Sequence, residues 1–108
     1  MSYEKLGEVA LAQDQLVEAA RCFGESLTIR KKLAAIDSTN TEWQRGLAIS
    51  YAKLADLSEL QNKAAKAKGY WKQAFEVLSG IEKRGLHLSP EDRQHLEILR
   101  RKAGVAAP

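Results

Sequence analysis

The sequence contains little of what marks a secreted, membrane-bound or disulfide-linked protein. Its single cysteine, Cys22, cannot form a disulfide within the chain. No apolar run reaches the roughly 18 residues that a membrane-spanning helix needs, and the first residues lack the apolar core of a signal peptide. We therefore expect a cytoplasmic protein without a membrane partner.

The sequence also lacks the patterns that accompany catalysis. It has no glycine-rich phosphate loop and no nucleophile motif, and its histidines, His87 and His95, have no metal-ligand spacing around them. The acidic pair Glu91 and Asp92 is explained by its place at a predicted helix start, where negative charge is favourable. The sequence thus predicts no enzyme, no metal site and no cofactor.

Helix-breaking residues are scarce, and charge is unevenly distributed. The 108 residues include only two prolines and seven glycines, which favours long helices with few turns. Residues 1–62 carry 7 basic and 9 acidic side chains, whereas residues 63–108 carry 10 and 5. The basic half leaves open a nucleic-acid-binding alternative through Lys63, Lys66, Lys72, Arg100 and Arg101. The lysines are spread around a helix rather than aligned in one stripe, which makes a nucleic-acid partner the weaker interpretation.

What the sequence does contain is a repeat with an offset of 48 residues. Residues 2–9, Ser-Tyr-Glu-Lys-Leu-Gly-Glu-Val, return at residues 50–57 as Ser-Tyr-Ala-Lys-Leu-Ala-Asp-Leu. The same offset pairs Ala19 with Ala67, Phe23 with Trp71, and Leu33 with Ile81. A small residue stands at both Gly7 and Ala55, which predicts a close approach of a neighbouring helix there. Self-similarity at a fixed period predicts a repeat array.

Apolar residues at spacings of three and four predict five helices. Their expected bounds are residues 3–13, 16–36, 41–61, 64–83 and 89–103. In the first helix we expect Tyr3, Leu6 and Ala10 on the buried side, and in the second we expect Cys22 to be a small core residue.

The predicted helix ends carry recognisable signals. The polar stretch after the second helix offers Asn40 or Thr41 as a cap for the third. Gly85 follows the fourth helix, where glycine suits the left-handed conformation that often ends a helix. Ser89 and Pro90 form the start of the fifth helix, with serine as the cap and proline in the first helical position.

These elements predict one all-α domain, residues 1–108, with an incomplete first repeat. Repeat one covers residues 2–37, repeat two covers residues 41–84, and residues 89–103 form a capping helix. Repeat one lacks the counterpart of residues 43–49, as if the chain began inside a repeat. We expect an uncovered apolar edge that supports self-association, or continuation in a longer chain, near Tyr3, Leu11 and Leu16.

The repeated pattern resembles the tetratricopeptide repeat, a pair of antiparallel helices named A and B. The positions that match helix A are Tyr3, Leu6, Gly7 and Ala10, then Tyr51, Leu54 and Ala55. The positions that match helix B are Ala19, Phe23 and Ser26, then Ala67, Trp71 and Ala74. The period exceeds the usual ~34 residues, and residues 37–45 resemble the longer bacterial variety that is similar to kinesin-light-chain repeats. The resemblance implies a short right-handed α–α superhelix.

The resemblance also implies a non-catalytic protein–protein interaction module. A further alternative is a regulatory fragment of a larger signalling protein. In this family the partner lies on the face of the A helices. The residues that this assigns are Glu4, Lys5, Glu8, Arg45, Lys53, Asp56 and Glu59. Glu8 and Asp56 stand where related domains that clamp a C-terminal carboxylate have asparagine, so we expect a basic or mixed-charge peptide instead.

Overall fold

The computed structural model describes residues 2–106, and within them the chain forms α-helices and no strand. The five helices are α1 (Tyr3–Ala12), α2 (Leu16–Ile36), α3 (Thr41–Leu60), α4 (Ala64–Lys83) and α5 (Pro90–Ala103). Every predicted helix end agrees with the observed one to within one residue, so the all-α class is confirmed. Within the same residues, no helix combines the length and the apolar character that crossing a membrane requires.

Side-chain caps stand at the starts of α1, α3 and α5. The Asn40 side chain accepts a hydrogen bond of 3.0 Å from the Trp43 amide at the start of α3. At the start of α5, the Ser89 hydroxyl accepts one from the Asp92 amide, and the Asp92 carboxylate accepts one from the Ser89 amide. These paired bonds satisfy two of the amides that a helix start leaves without partners. The predicted start at Ser89 is confirmed.

The internal repeat extends to the backbone of the turns. Asp14 and Asn62, which are 48 residues apart, both adopt a left-handed conformation, with φ of 59° and 60°. Aspartate and asparagine tolerate this conformation better than most residues because their short polar side chains can bond locally. An amide-to-carbonyl bond of 2.8 Å closes each turn, from Gln15 to Ala10 and from Lys63 to Ser58. The two turns are therefore copies of each other.

Helix packing follows the order of the chain. Within residues 2–106, each helix packs closely only against the helices next to it in sequence, and the most extensive contact joins α3 to α4. One core cluster links the first three helices and contains Ala10, Ala19, Phe23, Leu54 and Leu57. A larger cluster joins α3, α4 and α5 through residues that include Tyr51, Trp71, Leu78, Ile81 and Leu99. Cys22 is buried, as predicted.

The buried side predicted for α1 is only partly correct. Gly7 and Ala10 are buried, but Tyr3 and Leu6 are exposed, so the prediction for these two side chains is wrong. The reason is that, among the described residues, only α2 packs closely against α1. The side of α1 that turns away from α2 therefore has no cover.

The short first helix also leaves a gap at the same end of the molecule. Helix α1 has 10 residues whereas α3 has 20, so the second half of α2 has no α1 backbone beside it. A gap of about 650 Å³ lies between the start of α1, the second half of α2 and the first half of α3. Tyr3, Arg30 and Trp43 are among the residues that line this space.

The predicted close approach at Gly7 is confirmed. A Cβ atom at this position would lie 2.6 Å from an edge carbon of the Phe23 ring. Phe23 is itself buried, so its ring cannot move aside without disturbing the first core cluster. Gly24, in the middle of α2, has no atom within 4 Å of the equivalent point.

This difference predicts opposite effects for two alanine substitutions. Gly24→Ala should raise the free energy of unfolding by about 1 kcal/mol, because alanine favours the helix and nothing obstructs its methyl group. Gly7→Ala gains the same helix propensity but overpacks the core, which costs about 1–3 kcal/mol, so we expect net destabilisation. Urea unfolding of both variants checks this, and equal effects at the two positions would contradict it.

Candidate functional site: the groove between α3 and α5

A groove of about 480 Å³ lies between α3 and α5. Trp71 and Leu78 of α4 lie beneath it in the larger core cluster. The apolar residues that line it from α3 and α5 are Ala48, Ile49, Ala52, Ile98 and Leu99. Its polar lining consists of Arg45, Lys53 and Asp56 from α3 and of Glu91, Asp92 and His95 from α5. We call this feature the α3–α5 groove.

The pair Arg45 and Asp92 fastens α5 to α3 beside the groove. The guanidinium binds the carboxylate with two nitrogens, at 2.9 Å from Nε to Oδ1 and 2.7 Å from Nη2 to Oδ2. Burial alone would raise the pKa of Asp92, but hydrogen bonds from Arg45 and Ser89 outweigh it and hold the pKa below its usual range. The same pair raises the pKa of Arg45. The Asp92 carboxylate is therefore charged and bonded to groups of the protein itself, so its role is structural.

A second ion pair connects α1 to α3 at the other side of the groove. Lys53 Nζ lies 2.8 Å from Glu8 Oε1 and 6.0 Å from the centre of the Phe23 ring. The hydrogen bond and charge of Lys53 lower the pKa of Glu8, and Lys5 adds a smaller effect in the same direction. Lys53 thus borders the groove with its charge already balanced.

Asp56 differs from these acids because no cation is bonded to it. In the described part of the chain neither Asp56 nor Glu91 takes part in an ion pair. The Asp56 side chain is exposed, but desolvation by the surrounding protein raises its pKa. The charge of Glu59 adds to this effect, and the charges of Lys102 and Lys53 oppose it without cancelling it. A carboxylate whose charged form is disfavoured in this way gains from a cationic group that binds beside it.

The structure brings together three of the seven residues that were predicted on the A-helix face. Arg45, Lys53 and Asp56 line the α3–α5 groove. The other four, Glu4, Lys5, Glu8 and Glu59, do not line it. Glu4 lies 3.3 Å from Arg30, and Glu59 accepts a 3.0 Å hydrogen bond from the Trp71 indole.

The α5 side of the groove was missed by sequence reasoning. Glu91, His95 and Ile98 are spaced by four and three residues, which places them on one face of a helix. Glu91 and Asp92 were explained as favourable charges at a helix start, which holds for the capping role of Asp92 but not for its bond to Arg45. The spacing of the α5 residues was the signal available in the sequence.

The residues of the predicted self-association edge and of the nucleic-acid alternative are dispersed. Leu11 and Leu16 pack against the first core cluster, whereas Tyr3 is exposed at the gap beside α1. Arg100 bonds Glu97 and the Val105 carbonyl, and Arg101 also lies near Glu97. Two of the five basic residues named for nucleic-acid binding are therefore engaged within α5 and the segment after it.

Comparisons of the chain with protein-family models, with curated proteins and with solved structures find no match. Among residues 2–106, no three histidine, cysteine or acidic side chains are grouped so as to hold a metal ion. The functional assignment therefore depends on the geometry of the groove and on the internal repeat.

The Arg45–Asp92 pair predicts a measurable coupling energy. Asp92→Asn keeps the shape of the side chain but loses the charged bonds, and we expect the free energy of unfolding to fall by about 1–3 kcal/mol. Arg45→Gln should cost at least as much, because it leaves the buried Asp92 carboxylate without its cation, and the double variant should reveal a coupling of about 1 kcal/mol. Glu91→Gln, next to Asp92 but outside any ion pair, is the matched control and should be neutral to within about 0.5 kcal/mol.

The same pair predicts a pH dependence of stability. The pKa of Asp92 is lower in the folded protein than the ordinary value of about 3.9. Its contribution is therefore complete above that ordinary value and disappears as the pH falls through the lower, folded pKa. The difference in stability between the wild type and Asp92→Asn should shrink in acid, as measured by urea unfolding across this range. A difference that stays constant would contradict the assignment.

Proposed function

We propose that this protein is a non-catalytic interaction module of the tetratricopeptide kind, which binds a segment of a partner protein in the α3–α5 groove. The observation that carries the proposal is the combination of apolar walls with two acids, Asp56 and Glu91, that have no ion-pair partner among residues 2–106. Apolar walls with a few polar groups are typical of peptide and ligand sites.

The polar lining supports a basic and apolar ligand rather than an acidic one. The arginine and the lysine that line the groove in the described part of the chain, Arg45 and Lys53, are both bonded to carboxylates of the protein itself. An acidic segment would have to displace those bonds. A segment with a lysine or arginine beside an aliphatic side chain would instead bond Asp56 and Glu91 and cover Ile49 and Ile98.

The internal repeat supports the tetratricopeptide architecture and its right-handed superhelix as part of the proposal. Packing only between sequence neighbours is the arrangement expected of stacked repeats. The 48-residue offset also relates α5 to α3, because Tyr51 corresponds to Leu99 and Ala55 to Ala103, and all four are buried. On this basis α5 occupies the position of a third A helix, and the α3–α5 groove lies between two successive A helices.

The ion pairs around the groove favour tight binding by holding its walls in place before the ligand arrives. Arg45 joins α3 to α5, and Lys53 joins α3 to α1, although the backbones of these helices are not in close contact. A site that is already ordered loses less conformational entropy on binding. The groove is therefore a preformed site rather than one assembled by its ligand.

The proposal is tested with an array of short synthetic peptides that vary independently in charge and apolar content. We expect the protein to select peptides with a basic residue next to an aliphatic or aromatic one. Asp56→Asn and Glu91→Gln should each weaken the selected peptides by about 10-fold, the loss of one charge-assisted hydrogen bond. Glu76→Gln, an exposed acid of α4 outside the groove, is the control.

The nucleic-acid alternative is tested by measuring DNA and RNA binding with the same protein sample. Duplex DNA and single-stranded RNA should show no binding that weakens steeply with salt, the behaviour that phosphate contacts produce. Strong salt-dependent binding, or selection of acidic peptides that Asp56→Asn does not alter, would overturn the proposed function.

Asp56 should affect binding and stability in different directions. Because its pKa is raised in the folded protein, the charged form disfavours folding, and Asp56→Asn should leave stability unchanged or slightly higher. Peptide affinity of the wild type should fall as the pH drops through this raised pKa, because protonation removes the charge that attracts the basic side chain. Calorimetric titrations across the mildly acidic range check this. Affinity that falls equally in Asp56→Asn would contradict it.

A further inference from the structure

The α3–α5 groove includes an aromatic ring that already holds a cation of the protein itself. The Lys102 ammonium lies 4.9 Å from the centre of the Trp71 ring, within the ~6 Å at which the face of an aromatic ring attracts a cation. Trp71 lines the groove, and its indole N–H donates a hydrogen bond of 3.0 Å to the Glu59 carboxylate. Tryptophan is the best of the aromatic side chains at attracting a cation.

The internal repeat contains the same kind of arrangement in its first copy. The 48-residue offset that relates Phe23 to Trp71 also relates Glu8 to Asp56. In the first copy a lysine contacts both groups, because Lys53 Nζ lies 6.0 Å from the centre of the Phe23 ring and 2.8 Å from Glu8 Oε1. We call Glu8 with Phe23 the first cation site, and Asp56 with Trp71 the second cation site.

The second cation site is filled less completely than the first. The repeat counterpart of Lys53 is Arg101, which lies 3.5 Å from Glu97 instead. The next residue, Lys102, lies over the Trp71 ring, but in the described part of the chain it forms no ion pair with Asp56. The second site therefore has its ring occupied and its carboxylate open.

The charges of the second site act on each other although they are not bonded. Desolvation raises the pKa of Asp56, and the charge of Lys102 is the largest effect that opposes this rise. The Lys102 side chain is exposed, and its ammonium is a strongly hydrated charge on a flexible stem. It can therefore turn into solvent without disturbing the core.

We propose that the second cation site receives the basic side chain of the bound segment, and that Lys102 occupies this site in the free protein and moves aside on binding. The inference rests on the proposed function, because it concerns the same groove. An incoming ammonium or guanidinium over Trp71 and bonded to Asp56 would make the two contacts that Lys53 makes in the first site.

An internal occupant of this kind makes the groove selective for basic ligands. A segment without a basic residue leaves Lys102 in place and gains nothing from Asp56. A basic segment exchanges one cation over Trp71 for another and gains the bond to Asp56 in addition. The exchange lowers its apparent affinity by the fraction of molecules in which Lys102 has left the ring.

NMR titration of the protein with two capped peptides tests the inference. The peptides are acetyl-Leu-Lys-Leu-amide and the uncharged acetyl-Leu-norleucine-Leu-amide. Lys102→Gln should strengthen binding of the lysine peptide by about 3- to 10-fold, the size of one cation–aromatic contact. Binding of the norleucine peptide should stay within about 2-fold, because that peptide does not compete for the site.

Matched variants separate this effect from a general change of charge. Lys83→Gln removes the same charge from an exposed residue at the end of α4 that does not line the groove, and it should leave both affinities unchanged. Lys102→Arg keeps a cation over the ring and should bind like the wild type. In Asp56→Asn, the gain from Lys102→Gln should shrink, because the incoming lysine has lost its carboxylate.

The free protein gives a readout that needs no peptide. Lys102→Gln should shift the indole N–H resonance of Trp71, because the charge over its ring is removed. The indole resonance of Trp43, which lines the gap beside α1 and not the groove, is the internal reference. Lys83→Gln should move neither resonance.

Failure of the inference and failure of the proposed function give different results. A wild-type protein that binds the lysine peptide with an affinity that Lys102→Gln leaves unchanged would overturn the inference and leave the proposed function intact. An equal gain for both peptides, or the same gain in Lys83→Gln, would also overturn the inference alone. If neither the wild type nor Lys102→Gln binds any peptide, the proposed function fails and the inference fails with it.

Discussion

Each helix in this fold buries its apolar side chains against the helices next to it in sequence. The rest of the structure depends on this order of packing. Helices α2, α3 and α4 each lie between two others and are covered on two sides. Within residues 2–106, helix α1 has close backbone contact with α2 and with no other helix, which is why Leu6 and Val9 are exposed although they are apolar like core residues.

Polar side chains supply the contacts that this linear packing cannot. The backbones of α1, α3 and α5 are not in close contact, yet Glu8 reaches Lys53 and Asp92 reaches Arg45. These bonds link alternate helices, and the Arg45–Asp92 pair joins the two walls of the groove. They also balance the charges of Arg45 and Lys53, which leaves Asp56 and Glu91 as the acids of the lining without an ion pair among residues 2–106. The proposed preference for a basic ligand depends on these two acids.

Local features of this fold were predictable from the sequence, whereas contacts between distant residues were not. Helix bounds follow from apolar spacing, and the start of α5 follows from Ser89 and Pro90, since each depends on residues a few positions apart. The bond from Arg45 to Asp92 joins residues 47 positions apart, and no spacing rule connects them. The exposure of Tyr3 was missed for a related reason, because burial depends on which helix lies beside the side chain.

The repeat allows the effect of the neighbouring helix to be separated from the effect of the residue type. Leu6 and Leu54 are the same residue type at equivalent positions, and the tyrosines three residues before them are equivalent as well. The large difference in exposure within each pair therefore comes from the neighbouring helix and not from the residue. It follows that the apolar character of α1 is a property of the repeat, retained where the cover given to α3 is missing. Burial in this protein therefore depends on how the helices pack, because the same residue types at equivalent positions are buried in α3 and exposed in α1.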